Sequence, residues 1–161
     1  MSFNLYAIGN ALVDSEYLVN DAFLTAQNIQ KGQMTLIDGD QQKSLINALN
    51  QSFSCAKRAS GGSAANSVIA FAAFGGSAFY ACKVANDNNG DFYLQDLRAA
   101  NVSAPQHAQV NEGVTGTCVV MVTPDSERTM HTFLGITAEL SPQEIDLTAL
   151  SQAQYLYIEG Y

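Results

Sequence analysis

The alternation of short β-prone runs with helical stretches most constrains what this chain can fold into. Residues 5–8 form a brief apolar run ended by Gly9 and Asn10, the pattern of a buried strand feeding a loop, and we place it mid-sheet. Asn20 or Asp21 caps a short helix reaching Gln27, residues 33–37 form a second β run, and Asp38 caps an amphipathic helix with Leu45, Ile46 and Leu49 on one face. Residues 57–60 lead into Gly61 and Gly62, and a small-residue helix follows to about Phe74. Then come an apolar strand at residues 78–84 and a helix at residues 88–100 that buries Leu97, Leu94 or Tyr93, and Phe92. Such an order predicts a parallel sheet with helical crossovers.

Two stretches depart from it. Residues 11–19 mix apolar and acidic positions, Asp14 and Glu16 among them, as in an exposed or half-covered strand. Residues 117–123 and 128–134 are β-prone runs joined by Pro124, Asp125, Ser126 and Glu127, which predicts a hairpin. Alternation resumes with a capping box at Ser141 and Glu144, proline at the first helical position, and a final strand at residues 155–158. A parallel strand expects a crossover and a neighbour beyond it, so the expectation is that these residues are part of a longer chain.

Charge and cysteine content narrow the function. A net charge of -8 and a pI near 4.4 exclude the clustered basic surface that nucleic acid or an anionic membrane requires. With 47% hydrophobic residues in 161 positions, the chain has enough apolar content for one globular domain, and no second domain is expected. It shows neither an apolar run of membrane-spanning length nor a secretory leader, which predicts a cytoplasmic location. Cys55, Cys82 and Cys118 form no CxxC pair and read as buried thiols, and His107 and His131 have no metal-ligand spacing, so no metal site is expected here.

The phosphate-loop, dinucleotide, zinc-protease and esterase signatures are all missing, and three features remain. Gly61, Gly62, Ser63 and Asn66 open a helix, where glycines admit a close ligand and the helix end presents N–H groups; the same glycines also suit a bare strand-to-helix bend. Asp14 follows the first strand, where it can accept hydrogen bonds from substrate hydroxyls or stand as a solvated strand residue. The hairpin can cover a site as a lid, decorate a sheet edge or form a dimer surface. Its Arg128 either reaches a phosphate group or is a surface charge.

The residues GNALVD, ASGGSAANS with a glycine nine positions beyond Asn66, KVANDNNG and TGTCVVMVTPDSERTM, in this order, resemble the ribokinase-like (PfkB) family of carbohydrate and nucleoside kinases. The resemblance spans essentially all 161 residues and is strongest toward the adenosine kinase and related sugar kinase branch. Two positions depart from the family pattern: Val68, where a small residue is usual, and Ala85, where glycine is common.

The resemblance implies an α/β, ribokinase-like fold: a mostly parallel central sheet flanked by helices, a small β lid sheet near residues 13–19, 33–37 and 117–134, and an incomplete carboxyl-terminal half. It implies that Asp14 binds vicinal sugar hydroxyls with Asn10 nearby, and that Gly61, Gly62, Ser63 and Asn66 line the sugar pocket. Met34, Cys118, Met130, Thr132 and Leu134 would face a base or sugar, and Glu159 or Tyr161 would form the far wall. The family's base is an aspartate in a Gly-Ala-Gly-Asp stretch, which these residues do not contain, so no catalytic residue is assigned. ATP, Mg2+ and a monovalent cation are implied as cofactors with sites outside these residues; a homodimer through the lid sheet is the assembly that the hairpin, read as a dimer surface, would give. The expected activity is ATP-dependent phosphorylation of a nucleoside or sugar on a primary hydroxyl by the longer protein, this chain alone being inactive. The alternative is a non-catalytic sugar- or nucleoside-binding, or dimerising, relative.

Overall fold

The computed structural model describes residues 2–105 and 112–159. In chain order the elements are β1 (Phe3–Ile8), β2 (Leu12–Leu18), α1 (Asp21–Ala26), β3 (Met34–Leu36), α2 (Gly39–Asn50), β4 (Cys55–Gly61), α3 (Ser63–Ala73), β5 (Ala78–Ala81), α4 (Asn88–Ala99), β6 (Val102–Ser103), β7 (Gly116–Val122), β8 (Arg128–Phe133), α5 (Leu147–Ser151) and β9 (Ala153–Ile158). Two 3₁₀ turns, Gly135–Glu139 and Pro142–Glu144, precede α5. The chain packs as two compact units, one of Met1–Val13, Ser60–Gly116 and Leu134–Tyr161, the other of Asp14–Ala59 and Thr117–Phe133.

The first unit holds a four-stranded sheet in the order β6-β5-β1-β9, parallel throughout, with Leu5 opposite Ala78 on one side and Tyr155 on the other. Successive β1 side chains leave by opposite faces. Ala7 packs with Val68 and Ala72 of α3 and Leu94 and Leu97 of α4, while Tyr6 packs with Phe79 and Ala149 of α5. Helices therefore cover both faces, as a parallel sheet demands.

In the second unit, four stretches read as β from the sequence and one that was not form a single five-stranded sheet in the order β3-β8-β7-β2-β4. β7 and β8 are the antiparallel hairpin, pairing Cys118 with Thr132 and Val120 with Met130, and β3 runs parallel to β8. Tyr17, Val119 and Met121 pack with Leu24 of α1 and Leu45 and Leu49 of α2. Period-two alternation then assigns Asp14, Cys118, Met130 and Thr132 to the opposite face. A capping box closes α2, with the Asp38 carboxylate accepting from the amides of Asp40 and Gln41 and the Gln41 side chain accepting from Asp38 N–H.

Three expectations need correction. Residues 55–61 form a strand, not only a lead into the glycine pair. It is an edge strand whose first four residues are exposed, so no burial periodicity marks it. For the same reason Cys55 is an exposed thiol, while Cys82 and Cys118 are buried as expected. β5 stops at Ala81, three residues short of Val84. His107 lies outside the described residues.

Candidate functional site

In the first unit the chain lays down β5 and β6 on one side of β1 and then returns to place β9 on the other. The direction of sheet growth thus reverses between β1 and β9, the arrangement that leaves a ligand crevice beyond the carboxyl ends of the strands. Gly9 and Asn10 leave β1 at that end, where Gly9 N–H reaches Ala81 O at 3.3 Å and Glu159 N–H reaches Ile8 O at 3.3 Å.

The glycine turn meets Asn10 there. Gly62 precedes α3 with φ +96, and a Cβ on it would lie 2.4 Å from Asn10 O, so both the backbone conformation and the space call for glycine. No side chain caps α3; Asn66 N–H bonds to Gly62 O at 2.9 Å, and the Ser63 and Asn66 side chains are exposed. Ala11 N–H donates to Thr137 Oγ1 at 2.8 Å, and Thr137 in turn donates to Asn10 Oδ1 at 3.4 Å. The turn is closed from below by Ser60, whose N–H donates to Asp96 Oδ2 at 2.7 Å.

The second unit carries a cluster on the sheet face opposite its helices. Thr132 Oγ1 donates to Cys118 Sγ at 3.3 Å, and both residues are buried. Burial pushes the Cys118 thiol up to about 11, with the Asp14 charge adding to it and Thr132 and Arg128 opposing, so it stays protonated. Burial also lifts the Asp14 carboxyl to about 6, and the positive charge of Arg128 holds it from rising further. A carboxylate in this state is a strong acceptor for hydroxyls above pH 6.

Asn10, Gly61, Gly62, Ser63 and Asn66 are therefore brought together in the first unit, and Asp14, Cys118, Arg128, Met130 and Thr132 in the second. Leu134 falls in the first unit, directly after β8, as the N-cap of the 3₁₀ turn Gly135–Glu139. Glu159 is half-buried at the carboxyl end of β9, in electrostatic range of Tyr80, and Tyr161 lies outside the described residues. Sequence reasoning missed Thr137, Tyr80 and Tyr93, which hold the turn's backbone. The only signal was two tyrosines among apolar neighbours, whose hydroxyls need partners when buried.

The family model for pfkB family carbohydrate kinases matches residues 29–161. The chain belongs to this family. As a pfkB carbohydrate kinase relative it is 35% identical to an adenosine kinase from Sinorhizobium meliloti, with a TM-score of 0.86 over 100% of this chain and 48% of that one. A probable sugar kinase from Rhizobium etli CFN 42 is 36% identical with the same TM-score and also covers 100% of this chain. A curated ribokinase from Staphylococcus aureus (strain COL) is 23% identical across 78% of this chain and 36% of its own length. The chain thus spans about half the length of these solved relatives and about a third of the curated one. The fold is that of the ribokinase-like adenosine kinases, a parallel sheet flanked by helices.

Proposed function

We propose that the protein carrying this chain phosphorylates an adenosine-like nucleoside or a free sugar on a primary hydroxyl, with ATP as donor, and that this chain supplies the substrate-binding residues. The observation that carries the reading is the glycine turn against Asn10 at the reversal point of the sheet, in a chain of the pfkB family. The names of its relatives, adenosine kinase and sugar kinase, narrow the substrate to these two classes. In this reading Asn10, Gly61, Gly62, Ser63 and Asn66 bind the sugar, Asp14 accepts its hydroxyl protons in hydrogen bonds, and Cys118, Met130 and Thr132 offer an apolar and weakly polar surface to a base. The β2, β3, β7 and β8 sheet serves as the lid.

These residues bind and orient. Phosphoryl transfer is carried by positioning and charge neutralisation. Among the described residues no group of three His, Cys, Asp or Glu side chains is placed to hold a metal ion. Of the cations, Lys31 is held by Asp21 and Asp125, and Lys83 by Glu144. The test is calorimetric titration with adenosine, inosine, ribose and fructose, together with phosphate transfer from MgATP by the intact coding product. Saturable binding and transfer to one of the four are expected; no transfer to a broad sugar and nucleoside panel would sink the proposal.

A further inference from the structure

Two buried phenols stand behind the glycine turn. Tyr80 on β5 and Tyr93 on α4 are both 0% exposed, and each spends its hydroxyl proton on a backbone carbonyl of the site. Tyr80 OH donates to Asn10 O at 2.8 Å, and Tyr93 OH donates to Gly61 O at 3.0 Å. The two hydroxyls also hydrogen-bond each other, so the phenol pair and the two carbonyls form one buried network against the turn. Burial drives the Tyr80 phenol far above its ordinary range, so the donor is retained at every working pH. A phenylalanine would fill the same core space without the cost of burying an oxygen, so the hydroxyls are explained by what they hold.

What they hold is direction. In a trans peptide the carbonyl and the N–H point to opposite sides. Drawing Gly61 C=O onto Tyr93 therefore turns Gly62 N–H the other way. The Asn10–Ala11 peptide is fixed at both ends, its carbonyl by Tyr80 and its N–H by Thr137 Oγ1 at 2.8 Å. A Cβ on Gly62 would lie 2.4 Å from Asn10 O, so the two peptides approach closely at this glycine. We propose that Tyr80 and Tyr93 are positioning residues of the substrate-binding turn, setting the orientation of its two peptide groups and hence of Gly62 N–H, Ser63 and Asn66 toward a hydroxyl-bearing ligand. The proposal rests on the substrate-binding reading above.

The test compares Tyr80→Phe and Tyr93→Phe with Tyr6→Phe, which removes another buried phenol, one that accepts from Asp146 N–H at 3.0 Å away from the turn. Each variant is titrated with adenosine and with ribose, its thermal midpoint is recorded, and amide exchange is followed at Ala11, Gly62 and Leu97. The expected result is a roughly tenfold rise in Kd for the bound ligand in the Tyr80 and Tyr93 variants, beyond any change in the Tyr6 variant at comparable thermal midpoint. Equal affinities across the three variants would overturn the proposal. If the unmodified chain binds neither probe, the substrate reading fails on its own, and exchange decides this one. Faster exchange at Ala11 and Gly62 with Leu97 unchanged upholds the positioning role, and unchanged exchange at all three refutes it.

Discussion

Asp14 is placed where it costs the fold something. Its carboxyl sits at about 6 in the folded chain because burial penalises the ionised form more than Arg128 relieves it, against an ordinary value of 3.8. Between those two pH values the folded state binds more protons than the unfolded state, so stability falls as pH rises through the window and is level above it. The full penalty above pH 6 is on the order of 3 kcal/mol. Asp14→Asn is expected to raise the thermal midpoint at pH 7, to change it little at pH 3.5, and to weaken ligand binding. Melting curves across pH with parallel titrations check all three, and a variant no more stable at pH 7 would remove the buried-charge account. Much of the site was legible at this scale: Asn10, Asp14 and the glycine turn stand in a recognisable order. The tyrosines were not, because an apolar helix face and an apolar strand look the same whether a phenol is filling space or holding a carbonyl.

Among the elements, α4 shows how one side chain joins two pieces of chain. Asp87 caps the helix by accepting from Gly90 N–H at 2.8 Å, and it also accepts from Thr115 N–H at 2.9 Å and Thr115 Oγ1 at 2.7 Å, where Thr115 is fully buried. Burial pushes this carboxyl up, yet the hydrogen bonds from Thr115, Gly90 and Asn89 outweigh it and leave it below the ordinary range. Its contribution is therefore present above the usual carboxylate range and is lost as pH falls through it, the reverse of Asp14. Asp87→Ala removes a cap and strands a buried hydroxyl and amide, for a loss of about 3 kcal/mol at neutral pH. Urea denaturation measures it, and the deficit relative to the unmodified chain is expected to shrink toward pH 3. A loss under 1 kcal/mol at neutral pH would mean that the cap alone matters. Elements with caps and periodic burial were readable in advance, α2 and its Asp38 box being the clearest. β4 was not, since Lys57 and Arg58 interrupt any apolar pattern on an exposed edge, and β6 spans only two residues.

For the whole molecule, the parallel sheet followed from local alternation, whereas the second sheet was expected only through the family resemblance. Its strands lie within residues 12–61 and 116–133, and a pairing across so long a separation leaves no periodic trace beyond the break the hairpin makes. Global charge, by contrast, is legible from composition and bears on substrate choice. With 15 acidic residues against 7 basic ones, the chain repels a dianionic ligand over a range set by the Debye length of about 8 Å at physiological salt. Two of the lysines are already committed, Lys31 to Asp21 and Asp125, and Lys83 to Glu144 and to Glu139 O. A free sugar is therefore expected to bind more tightly than its phosphate ester, ribose over ribose 5-phosphate by roughly tenfold, and added salt should narrow the gap by screening the repulsion. Competition titrations at two ionic strengths measure both effects. Tighter binding of the ester would instead assign Arg128 to the phosphate, and Arg128→Ala would then abolish that preference.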